Sequence, residues 1–305
     1  MNSIINILKP AGMTSHDVVS YVRKQLPGIK VGHTGTLDPA AAGVLPLCLG
    51  KATRLSSFLM EGVKGYRGEI TFGVTTDTLD GEGKILEINK EHSIKSAEIQ
   101  GVLQKFEGNI EQVPPIYSAV KHQGKRLYKQ ARNNKNPEPE PRSVTIYNIH
   151  MEEYIEGAFP RIIFDVKCSH GTYIRSLARD VGEILGVGGH LSFLVRTSSG
   201  LLDLNNSITI ENFQLAINSN ELEKLLIPMD FAVSHLKKII VLNAYINYFV
   251  SGNFVKEEQV KVESENTQNE QELWRVYDQN EKFWGIGRWQ ATAQGLMLKP
   301  EKVLS

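Results

Sequence analysis

The sequence predicts an α+β protein in two parts: a large mixed domain over residues 1–235 and a small β-rich module over 236–305. Three observations predict it. Segments of helical period and segments of strand period mix through the first part. Near Leu236 the character shifts to short strands separated by QNEK and TAQG. The chain has 305 residues and is 41% hydrophobic, enough for one large core and a smaller one.

The elements follow in order. Ile4 to Leu8 reads as a strand, and Lys9-Pro10-Ala11-Gly12 as a turn. Thr14 or Ser15 caps a helix to about Leu26, with Val18, Val19 and Val22 on one side and Pro27-Gly28 as its stop. Val44 to Leu49 fits a buried strand. Ala52 to Met60 reads as a helix. Tyr66 to Thr75 and Lys84 to Asn89 are strands around a Gly81–Gly83 turn. Ser96 to Phe106 is an amphipathic helix. Ser143–Tyr154 and Arg161–Cys168 read as paired strands. A helix beginning at Gly171 has the apolar set Ile174, Leu177, Ala178, Val181, Ile184 and Leu185, which buries one face. His190 to Thr197 is a strand, and Ser207 to Leu226 reads as helical. In the module, Ile239–Gly252 is a strand then a short helix. Leu273–Asp278, Phe283–Trp289 and Leu296–Val303 are strands.

The chemistry-bearing stretch is Val31 to Leu49, VGHTGTLDPAAAGVLPLCL. Gly32 and Gly35 permit a shaped loop. Asp38 stands before Pro39, which pushes it toward extended geometry and away from helix. An acid on a stiff turn, backed by buried apolar chain, suits a working carboxylate. It equally suits an ordinary turn, which Asp-Pro often starts. Gly43 to Lys51 is no phosphate loop: six residues separate its glycines and Ala52 follows the lysine, where the motif needs four and a Ser or Thr.

Net charge is zero, with 34 basic and 34 acidic residues, against the basic balance of a simple nucleic-acid binder. The distribution differs: residues 1–60 carry +4 and residues 115–142 carry +5. Two such blocks on one face make a local phosphate track. Within Pro114–Arg142, Tyr117 and Tyr128 interleave with Lys121, Lys125, Arg126, Lys129 and Arg132. That composition suits base stacking and phosphate contact, and the proline-rich end predicts a mobile basic flap. Cys48 and Cys168 read as core residues in a reducing compartment, not as a disulfide or metal site. No apolar run approaches a membrane span. The N-terminus lacks a signal peptide's basic flank and apolar length, so the expectation is a cytoplasmic protein.

GHTGTLDPAAAGVLP resembles the signature of the TruB family of tRNA pseudouridine synthases. LKPAGMTSHDVV (Leu8 to Val19), KGYRG (Lys64 to Gly68), PPIYSAVKHQGKRLYKQAR (Pro114 to Arg132) and SHGTYIRSLARDVG (Ser169 to Gly182) match in the family's order. The resemblance implies a pseudouridine synthase-like catalytic domain, with a central mixed or antiparallel sheet flanked by helices and an RNA-binding insertion at about 114–142. It also implies, more loosely, a PUA-like domain at 236–305.

The implied reaction moves uracil from an N1 to a C5 bond on ribose and needs no metal or other cofactor. Asp38 is the implied catalytic carboxylate, with Arg175 as the cation that holds it ionised. Tyr66 stacks on the flipped uracil and assists proton loss at C5. His33 fills or stacks beside the vacated space. Tyr173 orients the pocket and Leu194 walls it. Lys9 and Pro10 support the site, and Lys9 joins Lys121, Lys125 and Arg126 on the RNA-binding side. No clear second acid stands out, which fits an isomerase better than a two-carboxylate hydrolase. The implied substrate is uridine-55 in the T-arm of tRNA, taken by a standalone monomer with no guide RNA and no protein partner. A different class of reading, a tRNA-folding chaperone without essential catalysis, shares the binding features but has no use for the Asp38, Tyr66 and Arg175 set.

Overall fold

The computed structural model describes the chain except residues 91–92, 119, 123–124, 128–129, 131–136, 138, 263–270, 294 and 305; at 121–122 and 125–126 it describes the backbone alone. The architecture is α+β, as the periodicities predict. A ten-stranded sheet runs in the order β14-β1-β3-β12-β4-β11-β10-β7, with β2 beside β3 and β13 beside β12. These strands are β1 (Ser3–Lys9), β2 (Val31–His33), β3 (Ala42–Leu49), β4 (Lys64–Phe72), β7 (Gly108–Gln112), β10 (Arg142–Ile155), β11 (Arg161–Cys168), β12 (Gly189–Ser199), β13 (Leu202–Asp203) and β14 (Ile227–Pro228). Pairing is antiparallel except between β3 and β12, so the sheet is mixed at its centre.

β1 and β3 carry apolar side chains on both faces because both faces are covered. Ile5 and Ile7 pack with Val18, Val19 and Val22 of helix α1 (Ser15–Gln25), while Ile4 joins a cluster on the opposite face. Thr14 caps α1 through a reciprocal capping box with Asp17. On the β4–β11–β10 side, α3 (Ser96–Gln104) and α4 (Ile174–Ile184) bury Ile99, Leu103, Ile174, Leu177 and Val181 against Ile70, Phe72 and Phe164. α2 is the short Ser56–Glu61 helix after a 3-10 stretch, where the sequence predicts one continuous helix.

A second sheet, order β16-β20-β19-β18-β15-β17, holds residues from Lys237 to Val303. Its strands are β15 (Lys237–Val241), β16 (Val255–Lys256), β17 (Val260–Val262), β18 (Leu273–Tyr277), β19 (Phe283–Thr292) and β20 (Gly295–Val303). Trp274 and Trp289 are fully buried in its own core. Tyr277, Phe283, Ile286 and Leu304 pack instead against Leu55, Leu59, Ala232 and Val233, so the two sheets share one apolar cluster.

Three expectations differ from the fold. The predicted Ser207–Leu226 helix is shorter, α5 (Ile210–Asn218), because Ile208 pairs with Ile7 and donates to the Asn6 carbonyl at 2.9 Å. β2 and β7 were not evident as strands; each is short and contains glycine, and each exists through its long neighbour. In the Pro114–Arg142 stretch, β8 (Lys121–His122) pairs with β9 (Lys125–Arg126) and Leu127 is buried. Tyr128, Lys129 and Arg132 lie outside the described residues, as do the side chains of Lys121, Lys125 and Arg126.

Candidate active site

The Asp38 loop bridges β2 and β3, and both flanks of the acid are clamped. Leu37 donates its N–H to Ser15 Oγ at 2.8 Å, and Ser15 Oγ donates back to the Leu37 carbonyl at 3.2 Å. The Pro39 carbonyl accepts from Gly12 N at 2.8 Å and from Lys9 Nζ at 3.1 Å. The first strand, turn and helix start thus act as a vice on the residues either side of Asp38. Lys9 gives its ammonium also to the Pro10 and Met13 carbonyls, at 2.8 and 2.5 Å. It is fully buried, so it has no surface for a phosphate. That corrects its place among the RNA-binding residues and supports its role as a brace. Burial pushes its pKa down to about 8, with Asp38 opposing.

Arg175 enters from the first turn of α4. Its Nε lies 2.9 Å from Asp38 Oδ2, and its Nη2 donates to Oδ1 at 3.1 Å. Its side chain is 6% exposed against 40% for Asp38, so the acid faces the opening and the guanidinium stands behind it. Arg175 also donates to the Thr78 carbonyl at 2.9 Å and the Tyr117 carbonyl at 3.0 Å. The 114–142 stretch is therefore rooted at the site. A second acid, Asp80, lies 3.5 Å from Arg175 Nη1. No clear second acid is legible in the sequence because Asp80 sits in a turn between β5 (Val74–Thr76) and β6 (Ile85–Ile88), where polar residues carry no periodic signal. Desolvation raises the Asp38 pKa; Arg175 opposes the rise and Asp80 adds to it. Arg175 lowers this pKa as expected of a neighbouring cation, but it does so against a larger burial penalty.

Tyr66 lies on β4 directly opposite Arg196 of β12. Desolvation pushes its phenol up, and the charge of Arg196 works the other way. Leu194, two residues earlier on β12, opposes Gly68 and packs beside Tyr66 on the core that α4 covers. His33 ends β2; desolvation and the charge of Arg196 hold its imidazole below the usual value, so it stays neutral. Its Nδ1 is buried without a partner among the described residues. Tyr173 is the N-cap of α4. The buried Gln112 amide clamps its backbone, donating to the Tyr173 carbonyl at 3.0 Å and accepting from its N–H at 2.7 Å. Gln112 and Arg196 are contributors that sequence reasoning missed. A charge inside the otherwise apolar run LSFLVR was the available signal for Arg196.

The arrangement is a half-buried carboxylate steadied from behind, a partly buried phenol on the far side of β12, and an imidazole at the start of the same loop. Among the described residues the one group of potential metal ligands, His150, Glu152 and Asp165, is on the exposed face of β10 and β11, where Arg67 pairs with both acids. No described helix is long and apolar enough to cross a membrane.

Two family models match the chain. One, for the TruB family pseudouridylate synthase N-terminal domain, covers residues 23–174; the other, for the tRNA pseudouridylate synthase B C-terminal domain, covers 175–234. The tRNA pseudouridine synthase B of Alkaliphilus oremlandii is 51% identical over 253 residues, 83% of this chain and 82% of its own. That of Caldanaerobacter subterraneus subsp. tengcongensis is 42% identical over 304 residues, 99% of both chains. A chain in the crystal structure of a Cbf5-Nop10-Gar1 complex matches with TM-score 0.74 and 29% identity, over 99% of this chain and 85% of that one. With these matches, and with the motifs of residues 8–182 gathered around one acid, the chain belongs to the TruB family of pseudouridylate synthases.

Proposed function

We propose that the protein isomerises uridine-55 in the T-loop of tRNA to pseudouridine, with Asp38 as the catalytic carboxylate. The observation that carries this reading is the two-point contact of Arg175 with Asp38 at the mouth of the loop. A pure RNA binder has no need to hold a desolvated acid against a guanidinium. The target uridine must leave its stack, because neither N1 nor C5 is reachable within it. Asp38 meets the extruded nucleotide, Tyr66 stacks on the uracil, and His33 and Leu194 bound the space. The C1′–N1 bond breaks, a C1′–C5 bond forms, C5 loses its proton and N1 gains one. No metal, nucleotide or redox group is called for.

Identity of 51% and 42% to chains named tRNA pseudouridine synthase B, against 29% to a chain of a Cbf5-Nop10-Gar1 complex and 26% to one of an H/ACA RNP bound to a substrate RNA, supports action on tRNA without a guide RNA. We read residues 1–235 as the catalytic domain, with 114–142 as its RNA-contacting insertion, and residues 236–305 as a PUA-like domain. A monomer in the cytoplasm is the corresponding expectation.

The test is direct. Incubation with an unmodified tRNA transcript should convert the T-loop uridine, and Asp38→Asn should lower that rate by at least about 10³-fold while keeping tRNA affinity. Conversion by the Asn variant at the wild-type rate would overturn the assignment of the acid. Absence of conversion by the wild-type protein would overturn the activity itself.

A further inference from the structure

We propose that Arg196 is a positioning residue for this reaction: its guanidinium, held by carbonyls on either side of the Asp38 loop, sets a fixed positive charge beside the phenol of Tyr66, its cross-strand partner. The inference rests on the catalytic reading of Asp38 and Tyr66 and extends it to a residue outside the matched motifs.

The geometry is specific. Arg196 lies at the centre of the sheet, opposite Tyr66 on β4 and opposite Gly43 on β3. It is 1% exposed and among the largest fully buried side chains. Nε donates to the Val44 carbonyl at 2.7 Å, and Nη2 to the Gly35 carbonyl at 3.4 Å. Tyr66 is the cross-strand partner of Arg196, and the phenol lies within the field of this charge. Gly43 lets the β12 backbone that carries Arg196 approach the acid loop closely, and the guanidinium reaches the turn at Gly35. At Gly43, φ +115°, a Cβ would stand 2.3 Å from the Arg196 carbonyl oxygen and 2.6 Å from its nitrogen. At Gly35, φ +128°, a Cβ would stand 3.5 Å from Nη1.

Its charge is placed unlike that of Arg175. Arg175 faces two carboxylates, whereas among the described residues no carboxylate forms an ion pair with Arg196. Burying a cation with only carbonyl acceptors is costly, and proteins keep such groups where the charge is used. The field reaches the neighbours: the charge of Arg196 is among the influences that lower His33, Lys9 and Lys64. Negative charge at the phenol oxygen is stabilised by this fixed cation without rearrangement.

The test is a double-mutant cycle. Arg196→Lys and Arg196→Met are made with and without Tyr66→Phe, and single-turnover conversion of an unmodified tRNA transcript is followed over hours. Arg196→Lys should slow conversion about 10- to 100-fold with tRNA affinity within about threefold of wild type. In the Tyr66→Phe background the same change should cost less than about threefold, because the hydroxyl it acts through is gone. With [13Cζ]tyrosine labelling, the Tyr66 resonance should begin to ionise at higher pH in Arg196→Met than in wild type. Equal losses in both backgrounds, an unmoved Tyr66 titration, or a fully active Lys variant would overturn the proposal. If the Met variant does not fold, the Lys variant carries both readouts. Asp38→Asn separates this from the parent reading: retained activity there defeats the acid assignment whatever Arg196 does.

Discussion

Asp38 and Asp278 are two half-buried or buried acids in the two sheets, and they are treated in opposite ways. Asp278, 6% exposed, accepts from Asn280 N at 2.9 Å, Lys282 N at 3.0 Å and Trp284 Nε1 at 2.9 Å. Desolvation works against its charge, and these donors overcome it, so its pKa falls. At Asp38 desolvation wins over Arg175, and the pKa rises. The same contrast runs through the cations. Lys9, Lys64, Arg175 and Arg196 are buried around the first sheet's cleft. Lys237, Lys238 and Arg288 of the second sheet pair with Glu272, Glu281 and Glu301 at its surface. One sheet spends stability on confined charge; the other satisfies its charge locally. Poorly compensated charge is what marks a working site.

The largest test of this contrast is Arg175→Lys. The charge stays, but the fork that reaches Asp38, Thr78 and Tyr117 together is lost, and turnover should fall about 10²-fold or more in single-turnover assays. Near wild-type turnover would mean that the charge alone matters. A smaller, graded effect comes from pH. The rate should fall about tenfold per pH unit on the acid side, with an inflection above the ordinary 3.8 of an aspartate. Because the folded protein holds the Asp38 proton more tightly than the unfolded chain, this group lowers stability as pH rises from the unfolded carboxyl value through the folded one. Asp38→Asn should therefore melt at the same temperature as wild type or higher at neutral pH. A clear drop would break the contrast.

The smallest effect on activity belongs to Asp278→Asn. It should cost about 1–3 kcal/mol in denaturant unfolding, because an amide N–H₂ would confront a donor, and leave turnover unchanged. A loss of turnover in that variant would tie the second sheet to the chemistry.

Much of this was legible beforehand. The valines of α1, the alternation of β4 and the three strands after Leu273 are local patterns, and each formed where its period placed it. The acid, the phenol and Arg175 were visible through resemblance in the motifs that carry them. Asp80, Gln112 and Arg196 were not, because each matters only through a residue at least 61 positions away: Arg175 at 3.5 Å, Tyr173 at 2.7 Å, and the Gly35 and Val44 carbonyls.

The sequence by itself determined most of the elements and their class, since period, caps and turns act over a few residues. Tertiary structure alone decided what surrounds Asp38. Its pKa depends on desolvation and on charges carried by α4, the turn after β5 and the end of β1, and those distances exist only once the sheet has closed. Lys9 shows the same division: a cation in the sequence, it is a brace in the fold because three carbonyls reach its ammonium first.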